Sequence, residues 1–166
     1  MNWDIFIGHS RRNAKAELLA EAIWAECAKL GKTVWLDVKM GDKSEAAMEE
    51  GVKNSRAFIA VVTGPCVNID ATDDPAEMNA YFKRPYCIKE LRWAREAGVP
   101  IQPVIRAEDK MNIGDLLGLA PDNLQDLGRT DWVDLNRNDA DYWEVGMRKV
   151  FRGIDKLQAR QVVVSS

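Results

Sequence analysis

Ala57-Phe58-Ile59-Ala60-Val61-Val62 is an apolar run without a polar side chain, followed at once by Thr63-Gly64-Pro65. A strand with one wet face alternates polar and apolar residues. An unbroken β-prone run of this length predicts a strand covered on both faces, as in a parallel sheet. Its neighbours on either side fit that reading. Upstream, Ser44 is a candidate cap for a helix carrying Met48 and Val52, preceded by a strand over Thr33-Val34-Trp35-Leu36 that ends at Asp37. Before that lies a helix from Asn13, its cap, to Leu30, with Gly31 as its stop. Leu19, Ile23, Cys27 and Leu30 form its core stripe, with Leu18 and Ala22 beside it. Asp4-Ile5-Phe6-Ile7, stopping at Gly8, is the first strand.

Downstream, residues 63–84 read TGPCVNIDATDDPAEMNAYFKR, rich in turn formers, with one short helix expected around Ala76–Phe82. Connections this long in a compact domain are commonly lids or binding loops. Pro85 opens the next helix, with Cys87, Leu91 and Ala94 as its core face and Gly98 as its end. Pro100–Ile105 is a fourth strand, whose two prolines place it nearer the sheet edge. Trp132-Val133-Asp134-Leu135 is a fifth, and Tyr142 to about Leu157 is a closing helix. Five strands joined by helical or long connections imply parallel pairing. The expected fold is α/β, a flavodoxin-like three-layer sandwich with a five-stranded parallel sheet in the order 2-1-3-4-5.

The whole chain has 166 residues, the size of one domain. Its balance of 46% apolar and 30% charged residues excludes a disordered or fibrous chain. A net charge of −3 argues against bulk electrostatic binding of nucleic acid or an acidic membrane, so neither is expected as a partner. Cys27, Cys66 and Cys87 are too few and scattered for a disulfide scaffold, and His9 is the single histidine, so no metal centre is expected. No run approaches the roughly 18 apolar residues of a membrane span. Met1-Asn2-Trp3-Asp4 leads straight into a strand without a basic or apolar leader, and a reducing, cytoplasmic setting is the expectation. There is no G-x-G-x-x-G, no P-loop and no G-x-S-x-G elbow. A Ser-His-Asp or Cys-His arrangement would have to recruit His9.

In such sheets ligands bind beyond the carboxyl ends of the strands where the winding direction switches, here between strands one and three. The loop Gly8-His9-Ser10-Arg11-Arg12-Asn13 runs into a helix N-terminus at that point. Its two arginines read either as a phosphate site or as solvated surface charges. Glu90 follows Cys87 by three residues and precedes Leu91, so it flanks the buried stripe of its helix. It is a candidate for chemistry, against the commoner role of a solvated helix glutamate.

Asp4-Ile5-Phe6-Ile7-Gly8-His9-Ser10 resembles the opening box of Toll/interleukin-1 receptor (TIR) domains, usually D-[VI]-F-[IL]-S-[HYF]. Val34-Trp35-Leu36-Asp37 with the loop through Gly41 is similar to their second strand and BB loop, and Phe58–Thr63 to their third strand. Tyr86-Cys87-Ile88-Lys89-Glu90-Leu91 resembles their W-C-x-x-E-L box, with Tyr for Trp. Pro100–Ile105 resembles their I-x-P-[VI] strand. The boxes keep the family's order and cover about residues 3–157, which implies a TIR domain over 1–158 and a C-terminal tail over 159–166.

That family divides into signalling adaptors that self-associate and enzymes that cleave NAD⁺ at its nicotinamide–ribose bond. The enzymes use the glutamate of the W-C-x-x-E-L box, which here is Glu90. The resemblance therefore implies an NAD⁺ nucleosidase in defence or cell-death signalling, giving nicotinamide and ADP-ribose or a cyclic isomer. The alternative it leaves is a non-catalytic adaptor. NAD⁺ enters as substrate, with no cofactor and no metal. Other TIR domains are the implied partners, in a homo-oligomer or filament formed on activation. The resemblance also implies a pocket lined by His9, Ser10, Arg11 and Arg12, with an arginine near the pyrophosphate. Asp37 would face the same crevice or cap the BB loop. Tyr86 would stack on a ring or pack into the core. Lys39, Met40 and Lys43 would lie in the loop that completes a neighbour's site.

Overall fold

The computed structural model describes residues 2–11, 13–66 and 79–165, with side chains as far as residue 161. Strands β1 (Trp3–Gly8), β2 (Val34–Trp35), β3 (Ser55–Val62), β4 (Ile101–Arg106) and β5 (Val133–Leu135) form one all-parallel sheet in the order β2-β1-β3-β4-β5. Helices α1 (Ala14–Lys29), α2 (Glu45–Lys53), α3 (Pro85–Glu96) and the short α4 (Ile113–Leu117) lie in the four crossovers, and α5 (Ala140–Ser165) follows the last strand. The architecture is the expected α/β sandwich.

Alternation along the strands divides the core in two. Ile5, Ile7, Ile59 and Val61 join Leu19, Ile23 and Cys27 of α1 and Met147, Val150 and Ile154 of α5. Phe6, Phe58, Ala60 and Val62 join Met48 and Val52 of α2 and Leu91 and Ala94 of α3. Both faces of β3 are therefore dry, which is why it carries no polar side chain from Ala57 on. Phe6 is in register with Trp35 on one side and Phe58 on the other. The three rings stack, with centroids 4.6 Å and 5.1 Å apart.

Capping follows the residues expected to do it. Asn13 Oδ1 accepts from Ala16 N at 3.1 Å and Ser44 Oγ from Ala47 N at 3.2 Å. Each cap contributes about 1 kcal/mol. Gly31 and Gly98 take φ of 75° and 70° just beyond α1 and α3, where a side chain would be strained.

Four expectations need correction. Leu30, expected on the core stripe of α1, is exposed at its C-cap, and the buried face is completed instead by Ala16 and Ala20; Leu18, beside the stripe, is exposed as well. β4 is not at the edge but pairs on both sides. Phe58 N donates to Pro100 O, and strand alternation then turns the Pro103 nitrogen away from β3. On that side β5 pairs only from Val104 onward, so the missing N–H falls where no strand lies. α5 starts at Ala140 and continues to Ser165, through the stretch read as a tail. Of the helix expected around Ala76–Phe82, residues 76–78 lie outside the described residues, and Tyr81–Lys83 is a 3-10 turn.

Gly8 stands where the family box usually has serine. A Cβ there would lie 2.5 Å from Phe58 Cζ, so the ring fills the space of a side chain. Gly8→Ser is expected to destabilise the fold by roughly 1–3 kcal/mol, the cost of overpacking. Chemical denaturation of that variant, alone and combined with Phe58→Leu, checks this; the second change should recover part of the loss.

Candidate functional site

The chain leaves β1 at Gly8 with His9 and Ser10 buried, and α1 begins at Ala14. Asn13 does more than cap that helix. Its Nδ2 donates to Gly64 O at 2.8 Å and Asn79 O at 3.3 Å, holding both ends of the loop after β3 against the first loop. β2 ends at Trp35, and Asp37–Lys39 forms a single 3-10 turn. α3 starts with Pro85 at its first turn, preceded by Arg84, and carries Glu90 in its interior.

These pieces enclose a cavity of about 230 Å³ lined by Ile7, His9, Arg11, Trp35, Asp37, Met48, Arg84, Tyr86, Cys87 and Glu90. It lies at the carboxyl ends of β1 and β2, beside the switch point. Glu90 is only 7% exposed, and no hydrogen-bond donor among the described residues reaches its carboxylate. Burial pushes its carboxyl well above the usual range, Asp37 adds to that push, and Arg11 opposes it. Asp37 Oδ2 forms an ion pair with Arg11 Nε, and Arg11 also donates to Met48 Sδ at 3.4 Å. His9 Nε2 stands 3.9 Å from Asp37 Oδ1. Burial holds the His9 imidazole below its ordinary value, against the pull of Asp37. Cys87 donates its thiol to His9 O at 3.6 Å, and burial keeps that thiol protonated.

The structure thus brings His9, Arg11, Asp37, Tyr86 and Glu90 around one cavity. Tyr86 is 46% exposed, with Lys89 Nζ 5.2 Å from its ring centre, so the core-packing alternative for it falls away. The Asp37 carboxylate is engaged with Arg11 rather than capping the loop, although the Asp37 carbonyl accepts from Met40 N at 3.0 Å. Ser10 is fully buried but off the cavity wall, because the chain has already turned toward α1. Lys43 is exposed on the loop before α2 and does not reach the cavity. Arg12 lies outside the described residues. Lys39 sits 4.5 Å over the Trp24 ring and 3.5 Å from Glu21, bound to α1 rather than to the cavity.

Trp35, Met48 and Arg84 also line the wall; the sequence placed the first two on a strand and a helix and gave none of the three a role at the site. Arg84 had a usable signal: it immediately precedes the proline that opens the glutamate-bearing helix. Among the described residues no three His, Cys, Asp or Glu side chains cluster to hold a metal ion. No described helix is long and apolar enough to cross a membrane.

The family described as TIR domain matches residues 5–150. The chain belongs to the TIR domain family. No curated protein sequence matches it. Among solved structures this TIR domain is similar to the TIR domains of the activated Roq1 resistosome that directly recognises the pathogen effector XopQ. That match has 12% identity, covers 92% of this chain and 99% of that one, and has a TM-score of 0.61. At this identity the likeness establishes the shared fold. A metazoan TIR-STING receptor from C. gigas also matches, at 19% identity and a TM-score of 0.48, over 86% of this chain and 39% of that one.

Proposed function

We propose that this TIR domain cleaves NAD⁺ at the nicotinamide–ribose bond, with Glu90 as the catalytic carboxylate. The observation that carries the reading is the placement of Glu90: buried, without a donor among the described residues, and on the wall of a cavity at the ligand-binding end of the sheet. Nicotinamide in NAD⁺ is already a cationic pyridinium and departs neutral, so no acid is needed to protonate the leaving group. That distinguishes the reaction from ordinary glycoside hydrolysis, which uses two carboxyl groups. What the site must supply is negative charge beside the positive charge growing on the sugar, preorganised and shielded from water. An ionised Glu90 supplies it. Water then captures the ribosyl cation and loses a proton to solvent, giving ADP-ribose, or an atom of the same molecule captures it to give a cyclic isomer.

The cavity of about 230 Å³ is smaller than the roughly 300–1,000 Å³ that encloses a whole drug-sized ligand. It accommodates the nicotinamide riboside end, with the pyrophosphate leaving past Arg84 and the adenosine outside. Tyr86, half-exposed at the mouth, offers a ring face for stacking. Arg11 is committed to Asp37, so in this arrangement its charge offsets the two carboxylates rather than reaching out for phosphate.

One specific observation favours an association role. Leu18 and Val38 are exposed beside an apolar groove of about 330 Å³ between α1 and the turn after β2, a surface on which another TIR domain could sit. Self-association is compatible with catalysis, but an adaptor would need only the surface. Incubating concentrated protein with NAD⁺ and following nicotinamide by chromatography separates the two. Release of nicotinamide with ADP-ribose or its cyclic isomer is expected. No release, even from the assembled protein, would leave the adaptor.

A further inference from the structure

Among the described residues five buried side-chain atoms have no hydrogen-bond partner: His9 Nε2, Ser10 Oγ, Asp37 Oδ1, Thr63 Oγ1 and Tyr81 OH. Folded proteins rarely leave such atoms unpaired, and each unpaired one costs about 1–3 kcal/mol. All five lie beyond the carboxyl ends of β1, β2 and β3. Two of them belong to His9 and Asp37, residues that line the cavity that Glu90 lines. Both residues are only 6% exposed, so solvent does not freely replace the missing partner.

Their separation is informative. At 3.9 Å, His9 Nε2 and Asp37 Oδ1 are too far apart for a direct hydrogen bond. They are close enough for one oxygen to bridge them. An oxygen about 2.8 Å from each would subtend an angle of roughly 90° between them, within reach of the donor and acceptor directions of a hydroxyl group. The chemistry of the pair narrows the occupant further. Asp37 Oδ1 only accepts, and its negative charge favours the proton on the facing imidazole nitrogen, which then donates. The bridging group must therefore donate once and accept once. A phosphate oxygen cannot donate and is repelled by Asp37; an ammonium cannot accept. A neutral hydroxyl does both. Arg11, bound to the other carboxylate oxygen, holds Asp37 in place and leaves its Oδ1 unpaired.

We propose that His9 and Asp37 form a hydroxyl-binding pair that grips one hydroxyl of the nicotinamide-side ribose, fixing the sugar against Glu90. This assignment rests on the NAD⁺-cleaving reading for the identity of the ligand. The pair holds the ring while charge develops on it, and it makes a deoxyribose ligand a poor one. No bond is made or broken by either residue.

His9 is the chain's only histidine, so one imidazole carbon–proton signal in the NMR spectrum reports on this site alone. The Glu90→Gln variant, whose turnover is expected to be slowed by about 10²–10³-fold or more, is titrated with NAD⁺ and with analogues lacking the 2′ or the 3′ hydroxyl on the nicotinamide-side ribose. The His9 signal is expected to move on saturation with NAD⁺. One of the two analogues is expected to bind about tenfold or more weakly and to leave the signal near its free position. Inorganic pyrophosphate should not move it. This comparison needs no substitution at His9 or Asp37, so misfolding cannot obscure it. If wild-type protein releases nicotinamide but both analogues match NAD⁺ in affinity and the signal stays still, a bridging water alone occupies the pair. The hydroxyl assignment then falls while the reaction stands. If no nicotinamide is released yet the signal moves and one analogue binds weakly, the site stands and the reaction reading falls. Absence of any NAD⁺ binding overturns both.

Discussion

Glu90→Gln is expected to lower nicotinamide release by at least 10²–10³-fold and, in the same protein, to raise its melting temperature. The first effect follows, on the proposed reaction, from removing the carboxylate that would stabilise the ribosyl cation; loss of a single preorganised electrostatic group costs about that factor. The second follows from burial. Glu90 has no donor among the described residues, and Asp37 faces the same cavity. Ionising Glu90 in the folded state is therefore unfavourable, and its folded carboxyl titrates well above its unfolded value. Between those two values the folded state holds more protons than the unfolded one, so stability falls as pH rises. A neutral amide of the same shape avoids the cost. The gain should be roughly 1–3 kcal/mol near neutral pH, at about 2–4 °C per kcal/mol for a chain of this size. It should vanish in acid, where both carboxyl forms are protonated. Thermal melts at several pH values alongside the release assay check both halves. A loss of activity accompanied by a loss of stability would mean that Glu90 is structural.

Phe6→Ala is expected to destabilise the fold by about 3–5 kcal/mol, the upper range for truncating a buried core side chain. Phe6 is fully buried and sandwiched between Trp35 and Phe58 on adjacent strands. Truncation opens a void between two large rings that the paired backbone cannot close, since β1 is held on both sides by β2 and β3. At 2–4 °C per kcal/mol the melting temperature should drop by roughly 6–20 °C. The site should suffer as well. Trp35 lines the cavity and loses its stacking partner, so KM for NAD⁺ should rise in whatever fraction remains folded. Denaturant titration followed by kinetics on the folded fraction measures both.

The sheet was readable because its central strands are buried on both faces: Ala57–Val62 and Ile5–Ile7 have no polar position to confuse. Caps were readable for the same local reason, since Asn13 and Ser44 bond to backbone three residues away. Edge features were less legible. The prolines of β4 suggested an edge, but the shortness of β5 leaves Pro103 unopposed inside the sheet, which only the register reveals. Leu18 and Leu30 fitted the helical period, yet the stripe is narrower than the run of apolar residues. At the site, topology and motif both pointed to Glu90. The partners that set its charge were visible as residue types but not as contacts. Nothing in the spacing of Arg11 and Asp37 says that they pair across two loops, or that His9 and Asp37 stop at 3.9 Å. Arg84 was missed because a residue before a helix proline reads first as a boundary.

The pH dependence of kcat/KM for nicotinamide release tests the central claim most directly, namely that a buried Glu90 works in its ionised form. Because burial and Asp37 raise its carboxyl, activity should be lost as pH falls through a midpoint well above the ordinary carboxylate range. Arg11 limits how far the midpoint is raised, and His9, held below its ordinary value, also lines the cavity wall. A His9→Gln variant should therefore keep the acid limb, whatever its rate. An activity that stays level down through the range of an ordinary glutamate, or a limb that disappears with His9, would contradict the account.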